Sequence, residues 1–473
     1  MTKSNIAILL GWLTLTLFFT FEDFNAGVLW FALSSSFGLL LYFSIKTKQI
    51  VTKLFFAMVF ITHAILPPMF LLKKESFTYS GWAAVKNFDF ELHSFLPIYL
   101  VLFIFYLGLL LFCFLFTNKL SVCNFKKNLP KKIQIVSKKD VQVKYDLLII
   151  IFLLAVGSLN VWMFNSNIGL TGMGGVQEYL PFKLGGILYY FSRFIIPIAI
   201  YYLYKKSTRN TYVTIVLFLY AFFASLSHVS KATFVLLIIP LMWFSIKDKK
   251  LWIFLFIVFG SAVTYPLIEF SRTFVYEVSD GVVFRNSSDS IFSLIIKVIC
   301  DFPEIDLGST IYSFIARLGG GQDVVLSWQY NPAEIGRNFL VEFERIFFNQ
   351  LGDFDSTYEL YGFKAPFGFS AGSGGFSAMM LQIVGQQYWL LLFLIIWVGF
   401  LLILGEWVAI QYEIKFKSSE IRQVVAFLYT LFLYALGNML VFQFYILVIF
   451  SFLIMASSFK IFKRNRKKIH DSI

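Results

Sequence analysis

The sequence predicts an all-α polytopic membrane protein with about 12 transmembrane helices, both termini in the cytoplasm and one large external loop with short helices. Three observations predict this class. Of the 473 residues, 58% are hydrophobic and 14% are charged, whereas about 25% are charged in a typical soluble domain. The apolar residues fall into runs of about 16–24 residues, which is the length that crosses a bilayer. The segments between these runs are alternately rich and poor in lysine and arginine.

Each apolar run is expected to be helical, because a segment in lipid must satisfy its own backbone hydrogen bonds. Nine spans are predicted within residues 1–268 and three more within 387–459, followed by a basic cytoplasmic tail at 460–473. The predicted spans are residues 6–21, 26–45, 54–72, 93–117, 147–164, 185–204, 211–226, 232–246, 251–268, 387–404, 424–437 and 440–459.

Basic residues indicate the orientation. With twelve spans, 27 of the 40 lysines and arginines fall on one side of the membrane, in segments such as the loop 118–146 and the tail. The positive-inside rule makes that side cytoplasmic. The net charge of +13 is therefore attributed to membrane orientation, and no nucleic-acid partner is expected because the lysine clusters lack interleaved aromatic residues.

Three segments are predicted on the external side. They are a glycine-rich loop at 165–184, a short hairpin at 227–231 and the 118-residue segment 269–386. The last segment is acidic, with fourteen Asp and Glu against seven Lys and Arg. Residues 331–334 (Asn-Pro-Ala-Glu) have the pattern of a helix start within it.

The cysteines do not suggest a metal site or a disulfide. Cys113, Cys123 and Cys300 have the spacing of neither. We expect no metal and no cofactor.

Arginine is concentrated on the external side. Six of the 13 remaining cations are arginines, against four of the 27 cytoplasmic ones. Arg193 lies inside the sixth apolar run, where a charge is costly and indicates a functional site, unless it extends to the interface. Arg272 follows span nine, and Arg317 precedes three glycines. Guanidinium groups suit the recognition of phosphate or carboxylate.

The central part of the chain resembles the Wzy-type O-antigen polymerases. The similarity in sequence covers about 30 residues. The rest of the chain resembles the family in architecture: in its length, its twelve spans, its cationic hairpin and its large late loop. The residues that carry it are Ile168-Gly169-Leu170-Thr171-Gly172, the run Leu180-Pro181-Phe182-Lys183-Leu184-Gly185-Gly186-Ile187-Leu188-Tyr189-Tyr190, Arg193 and Pro197. Lys231 stands where such hairpins commonly have arginine.

The resemblance implies an inner-membrane polymerase with its large loop in the periplasm. Such an enzyme moves a growing glycan from undecaprenyl diphosphate to the non-reducing end of an incoming lipid-linked repeat unit. Its expected partners are these lipid-linked oligosaccharides, membrane lipids, a flippase that supplies the units and a co-polymerase that sets chain length.

The external charged residues suit that chemistry. A diphosphate leaving group needs cations that hold it and offset developing charge, and the candidates are Arg193, Lys231, Arg272 and Arg317. A general base takes the proton of the acceptor hydroxyl. The candidate bases are Glu269, His228 and Asp323.

Three other functions stay open. An O-antigen ligase typically has a histidine in the large loop, and residues 269–386 contain none. A polyprenyl-phosphate glycosyltransferase has acids in its first external loop, where Glu22 and Asp23 lie. A flippase or another transporter would place charges along a central path. The two exceptions to the external clustering are His63, within the third predicted span, and Glu406, at the cytoplasmic end of the tenth.

Overall fold

The computed structural model describes twelve stretches of the chain. They are residues 3–72, 78–79, 83–84, 92–117, 138–165, 191–228, 230–279, 282–285, 291–300, 380–381, 389–416 and 418–435.

The described residues are almost entirely helical. The α-helices are α1 (Lys3–Glu22), α2 (Phe24–Lys46), α3 (Ile50–Phe60), α4 (Leu66–Leu72), α5 (Leu92–Thr117), α6 (Lys138–Asn165), α7 (Ile196–Lys206), α8 (Thr211–Ser227), α9 (Lys231–Lys247), α10 (Leu251–Val275), α11 (Ile291–Cys300), α12 (Leu390–Phe416) and α13 (Ser419–Ala435). Single π-helical turns cover Ile61–Ile65 and Phe191–Ile195. The two antiparallel hairpins pair β1 (Thr78–Tyr79) with β2 (Ala83–Ala84) and β3 (Tyr276–Ser279) with β4 (Val282–Arg285); neither was predicted.

Six stretches of helix are long and apolar enough to cross a membrane, as in a helical membrane protein. They are Phe24–Lys46, Ile50–Met69, Phe95–Phe116, Lys144–Asn165, Leu251–Ile268 and Leu390–Phe416. Shorter apolar helices cover Leu10–Glu22, Thr211–Ser227 and Thr233–Lys247. Two further predicted spans, 185–204 and 424–437, overlap the shorter helices α7 and α13. The predicted span 440–459, the loop 118–137 and the helix start at 331–334 lie outside the described residues.

The helices pack in two groups. Helices α1–α5 pack with α12 and α13, and α6–α11 form a second group; the main contact between the groups is that of α13 with α7. In the second group α8, α9 and α10 succeed one another as antiparallel neighbours joined by short turns, and α7 packs mainly against α6. We call the end that carries Lys205, Arg209 and Lys247 the lysine-rich end. The end that carries Arg193 and His228 is the opposite end.

Both π-helical turns are followed by proline at the same spacing. Pro67 and Pro197 each lie two residues after the turn, and the middle residues of the turns are His63 and Arg193. Proline has no N–H, so it cannot donate to the carbonyl four residues before it, which belongs to His63 or Arg193. π-helical turns are rare, occur mostly as single turns within α-helices and are frequent at functional sites. The sequence therefore places a polar side chain at each irregular turn.

The first predicted external loop is a tight junction between α1 and α2. Asp23 caps α2, because its Oδ1 accepts hydrogen bonds from the backbone N–H groups of Asn25 at 2.7 Å and Ala26 at 3.2 Å. Asp23 therefore has a structural role, and this removes part of the sequence argument for a polyprenyl-phosphate glycosyltransferase.

Candidate functional site

Arg193 is a buried cation at the opposite end of the second helix group. The residue is 5% exposed and lies in the π-helical turn that precedes α7. Its Nη2 donates a hydrogen bond to the Oγ of Ser230 at 3.0 Å. Ser230 is itself buried and immediately precedes α9. The irregular turn and the α8–α9 hairpin together therefore fix the guanidinium at the end of the helices.

A second polar contact holds the same hairpin from α6. His228 is the residue after α8, and its Nε2 lies 3.2 Å from the Oδ1 of Asn160. An amide oxygen can only accept, so Nε2 carries the ring proton and donates it. The side chain of Asn160 also bonds that of Tyr220. The hairpin is therefore anchored by side chains from α6 and α8 as well as by Arg193.

The imidazole of His228 is neutral at physiological pH. Burial, with a smaller contribution from the charge of Arg193, lowers the pKa of His228 to about 3. A general base works best with a pKa near the working pH, so this environment suits a hydrogen-bonding anchor better than a proton acceptor. No hydrogen bond from a described residue reaches Nδ1 of His228.

The pKa of His228 predicts a pH-dependent stability. The unfolded chain binds the proton below about pH 6.5, whereas the folded chain does so only near pH 3. The contribution of His228 to stability is thus fully present above about pH 6.5 and falls by about 1.4 kcal/mol for each unit between pH 6.5 and the folded-state pKa of about 3. We expect detergent-solubilised wild type to lose thermal stability between pH 6.5 and 4.5 more steeply than His228→Gln. Parallel pH profiles of the two proteins would contradict this.

The other candidate site residues are described in part or not at all. Lys231 begins α9, directly after the serine that Arg193 contacts, and Glu269 and Arg272 lie in the last two turns of α10. The backbone positions of these three residues are described, but their side chains are not. Arg317 and Asp323 lie outside the described residues. Of the candidates, the structure thus brings Arg193 and His228 to the same hairpin, where the backbone of Lys231 also lies. The remaining assignments stay predictions.

An ion-pair network at the lysine-rich end joins the two helix groups. Arg209 donates to Asp248 at 3.0 Å and to Glu420, on α13, also at 3.0 Å. Lys247 pairs with Glu420 as well, and the Nζ of Lys205 lies 3.8 Å from it. Burial would raise the pKa of Glu420, but these three cations lower it. The sequence analysis counted these residues only as topology signals.

A buried acid, Glu406, lies at this end as well, and the sequence analysis gave it no structural or functional role. Glu406 on α12 is 4% exposed; one carboxylate oxygen accepts from Arg422 and the other from the backbone N–H of Val51 at 2.9 Å. Arg422 also donates to Glu413 at 2.8 Å. The contacts of Glu406 hold α3, α12 and α13 together, which is a structural function.

His63 belongs to a buried aromatic cluster in the first helix group. Its Nε2 lies 3.4 Å from the hydroxyl of Tyr106 and 3.3 Å from that of Tyr434. The ring of Tyr99 is 5.5 Å away between centroids. A histidine enclosed by tyrosines within one helix group fits a packing role.

Among the described residues, no three His, Cys, Asp or Glu side chains lie close enough to hold a metal ion. Of the cysteines, Cys113 is buried and Cys300 is exposed, and neither forms a disulfide with a described residue.

These observations place the chain in the class of helical membrane proteins. No family model, curated protein or solved structure matches it.

Proposed function

We propose that this protein is a Wzy-type polymerase of lipid-linked oligosaccharide repeat units in the bacterial inner membrane. The lysine-rich end is cytoplasmic in this proposal, and the opposite end, with the segment 269–386, faces the periplasm. The observation that carries the proposal is a buried arginine, Arg193, held at the opposite end by Ser230. That is the membrane depth at which a lipid-linked diphosphate would bind.

The donor already contains a good leaving group, so the protein mainly has to hold it and compensate its charge. The glycosidic bond to the undecaprenyl diphosphate breaks as the acceptor hydroxyl forms a new bond to the same sugar carbon. The hydroxyl proton passes to a base, and the diphosphate leaves with the bonding electrons. Arg193 is assigned to the diphosphate, because fixed donors stabilise developing negative charge most effectively away from water.

The other assignments follow from position. Lys231 begins the helix next to Ser230, and Arg272 lies in the last turn of α10 at the same end. Both are assigned to the diphosphate, together with Arg317 in the large loop. Glu269, one turn before Arg272, and Asp323 are the proposed bases. His228 is assigned to the support of the hairpin, since its proton affinity is low. A flippase would supply the repeat units and a co-polymerase would regulate chain length.

The experiment that tests this proposal is lipopolysaccharide banding from a deletion strain. We expect deletion to leave core plus a single repeat, the wild-type chain to restore the ladder, and Arg193→Ala at equal membrane level to leave the single repeat. The matched control is Lys206→Ala, which removes an exposed cation from the other end of the same helix segment and is expected to keep the ladder. Loss of every repeat on deletion would refute polymerisation and favour a ligase, a flippase or an earlier transferase.

A further inference from the structure

Helix α11 is a short apolar helix that the sequence analysis did not distinguish within the segment 269–386. It covers Ile291–Cys300 and follows the β3–β4 hairpin. Ten residues extend about 15 Å, so the helix is too short to cross a bilayer. It packs against α10 and, less extensively, against α6. Its role is therefore not that of another span.

Two opposite faces of α11 are apolar. Leu294 and Val298 are buried, at 0% and 1% exposed. The side chains of Phe292, Ile296 and Ile299 are 66%, 62% and 61% exposed. With 3.6 residues per turn, these three residues form one stripe, and the buried pair lies on the far side of the helix. The protein covers one apolar face and leaves the other one open.

The neighbours of α11 indicate what covers the open face. Helices α6 and α10 both contain candidate membrane spans. Near its last turns α6 exposes Leu159 and Trp162, and tryptophan is enriched where a membrane meets water. An apolar stripe on a helix that packs against two spanning helices matches the environment of lipid chains, and it is unfavourable in water.

We propose that α11 lies in the membrane interface at the opposite end, with Phe292, Ile296 and Ile299 among the lipid acyl chains. The helix then acts as an interfacial anchor of the kind formed by amphipathic helices. It would hold the beginning of the segment 269–386 on the membrane surface, next to the end of α10. This proposal concerns the contact of the chain with lipid and does not depend on the polymerase activity.

Site-directed fluorescence of the full-length chain tests the contact. In a background with all three cysteines replaced, single cysteines at Phe292, Ile296 and Ile299 are labelled with an environment-sensitive dye. The protein is then reconstituted in vesicles of phosphatidylethanolamine and phosphatidylglycerol. The matched control is Lys297→Cys, on the adjacent flank, and Leu294→Cys marks the buried face. Thermal melting of each variant before labelling verifies that it is folded.

We expect blue-shifted emission at the three stripe positions, stronger quenching there than at Lys297 by lipids with a nitroxide on the acyl chain, and weaker quenching by aqueous iodide. Iodide quenching at Ile296 equal to that at Lys297 would overturn the proposal, because it would place the stripe in water. Protection of the stripe from both quenchers would overturn it as well, since the rest of the chain or a second copy would then cover this face.

Discussion

Replacing Glu406 with alanine is expected to lower the free energy of unfolding by about 3–5 kcal/mol, the usual loss when one partner of a buried ion pair is removed. Glu406 is 4% exposed, and the side chain of Arg422 is 11% exposed, so solvent screens this pair little. The substitution also leaves the N–H of Val51 without its acceptor. Gln49, which precedes α3, makes no side-chain capping bond. Glu406 thus stabilises the positive end of the α3 dipole from a separate helix.

The measurement is thermal unfolding of the detergent-solubilised protein, followed by fluorescence-detected gel filtration. The matched control is Glu413→Gln, which alters the other acid on Arg422; the side chain of Glu413 is 26% exposed, and we expect its loss to cost at most about 1 kcal/mol. Glu406→Gln should fall between the two, because an amide can still accept one hydrogen bond. An Arg422→Met change added to Glu406→Gln should recover part of the stability, since no unpaired charge remains. Equal melting of Glu406→Ala and Glu413→Gln would contradict the assignment.

The sequence was sufficient to predict the helical membrane class. Long apolar runs have few alternatives in lipid, so helices such as α2, α5, α6 and α12 overlap the predicted spans. Hydropathy did not predict their interruptions. The span predicted at 54–72 is broken at Ile61–Ile65, because Pro67 removes a backbone donor, and the number of spans is not determined by the described residues.

Helix ends were predicted less accurately than helix existence where charged side chains near the end pair with residues of other helices. The span predicted to begin at residue 424 belongs to a helix that begins at Ser419. Glu420 and Arg422 lie in its first turns, where hydropathy alone places them outside the membrane. They are accommodated there by Arg209, Lys247 and Glu406. No sequence pattern reveals a pairing between residues 16 to 211 positions apart.

In the candidate site, too, a local sequence signal was detected and the tertiary partners were not. The unfavourable position of Arg193 inside an apolar run was a sufficient signal to select it. Its partner Ser230 lies in the α8–α9 hairpin, 37 residues along the chain, and Asn160 on α6 lies 68 residues from His228, which the sequence analysis selected as a base and not as an anchor. A serine in a hairpin or an asparagine in an apolar helix is too common to select from composition. Only the packing of α6, α8 and α9 makes these residues part of one site.

Arg193→Lys is expected to reduce turnover of lipid-linked repeat units by about 100-fold or more, close to the effect of Arg193→Ala. That is the usual loss when one fixed donor to a developing negative charge is removed. Lysine keeps the charge but loses the planar fork that can donate to Ser230 and to a phosphate oxygen at once. The hydrogen bond of Nη2 to Ser230, at 3.0 Å, orients the remaining donors.

Ser230→Ala is the matched variant for Arg193→Lys, because it preserves the guanidinium and removes only its anchor. We expect a loss of about 10-fold for Ser230→Ala, less than the roughly 100-fold that a displacement of 1 Å can cause. The assay is polymer length and rate in proteoliposomes with purified lipid-linked repeat units, at equal amounts of folded protein. Arg193→Lys with more than half of wild-type turnover would show that charge alone suffices and would remove the guanidinium from the proposed mechanism. An inactive Ser230→Ala that binds the lipid normally would instead place the serine hydroxyl in contact with the reacting groups.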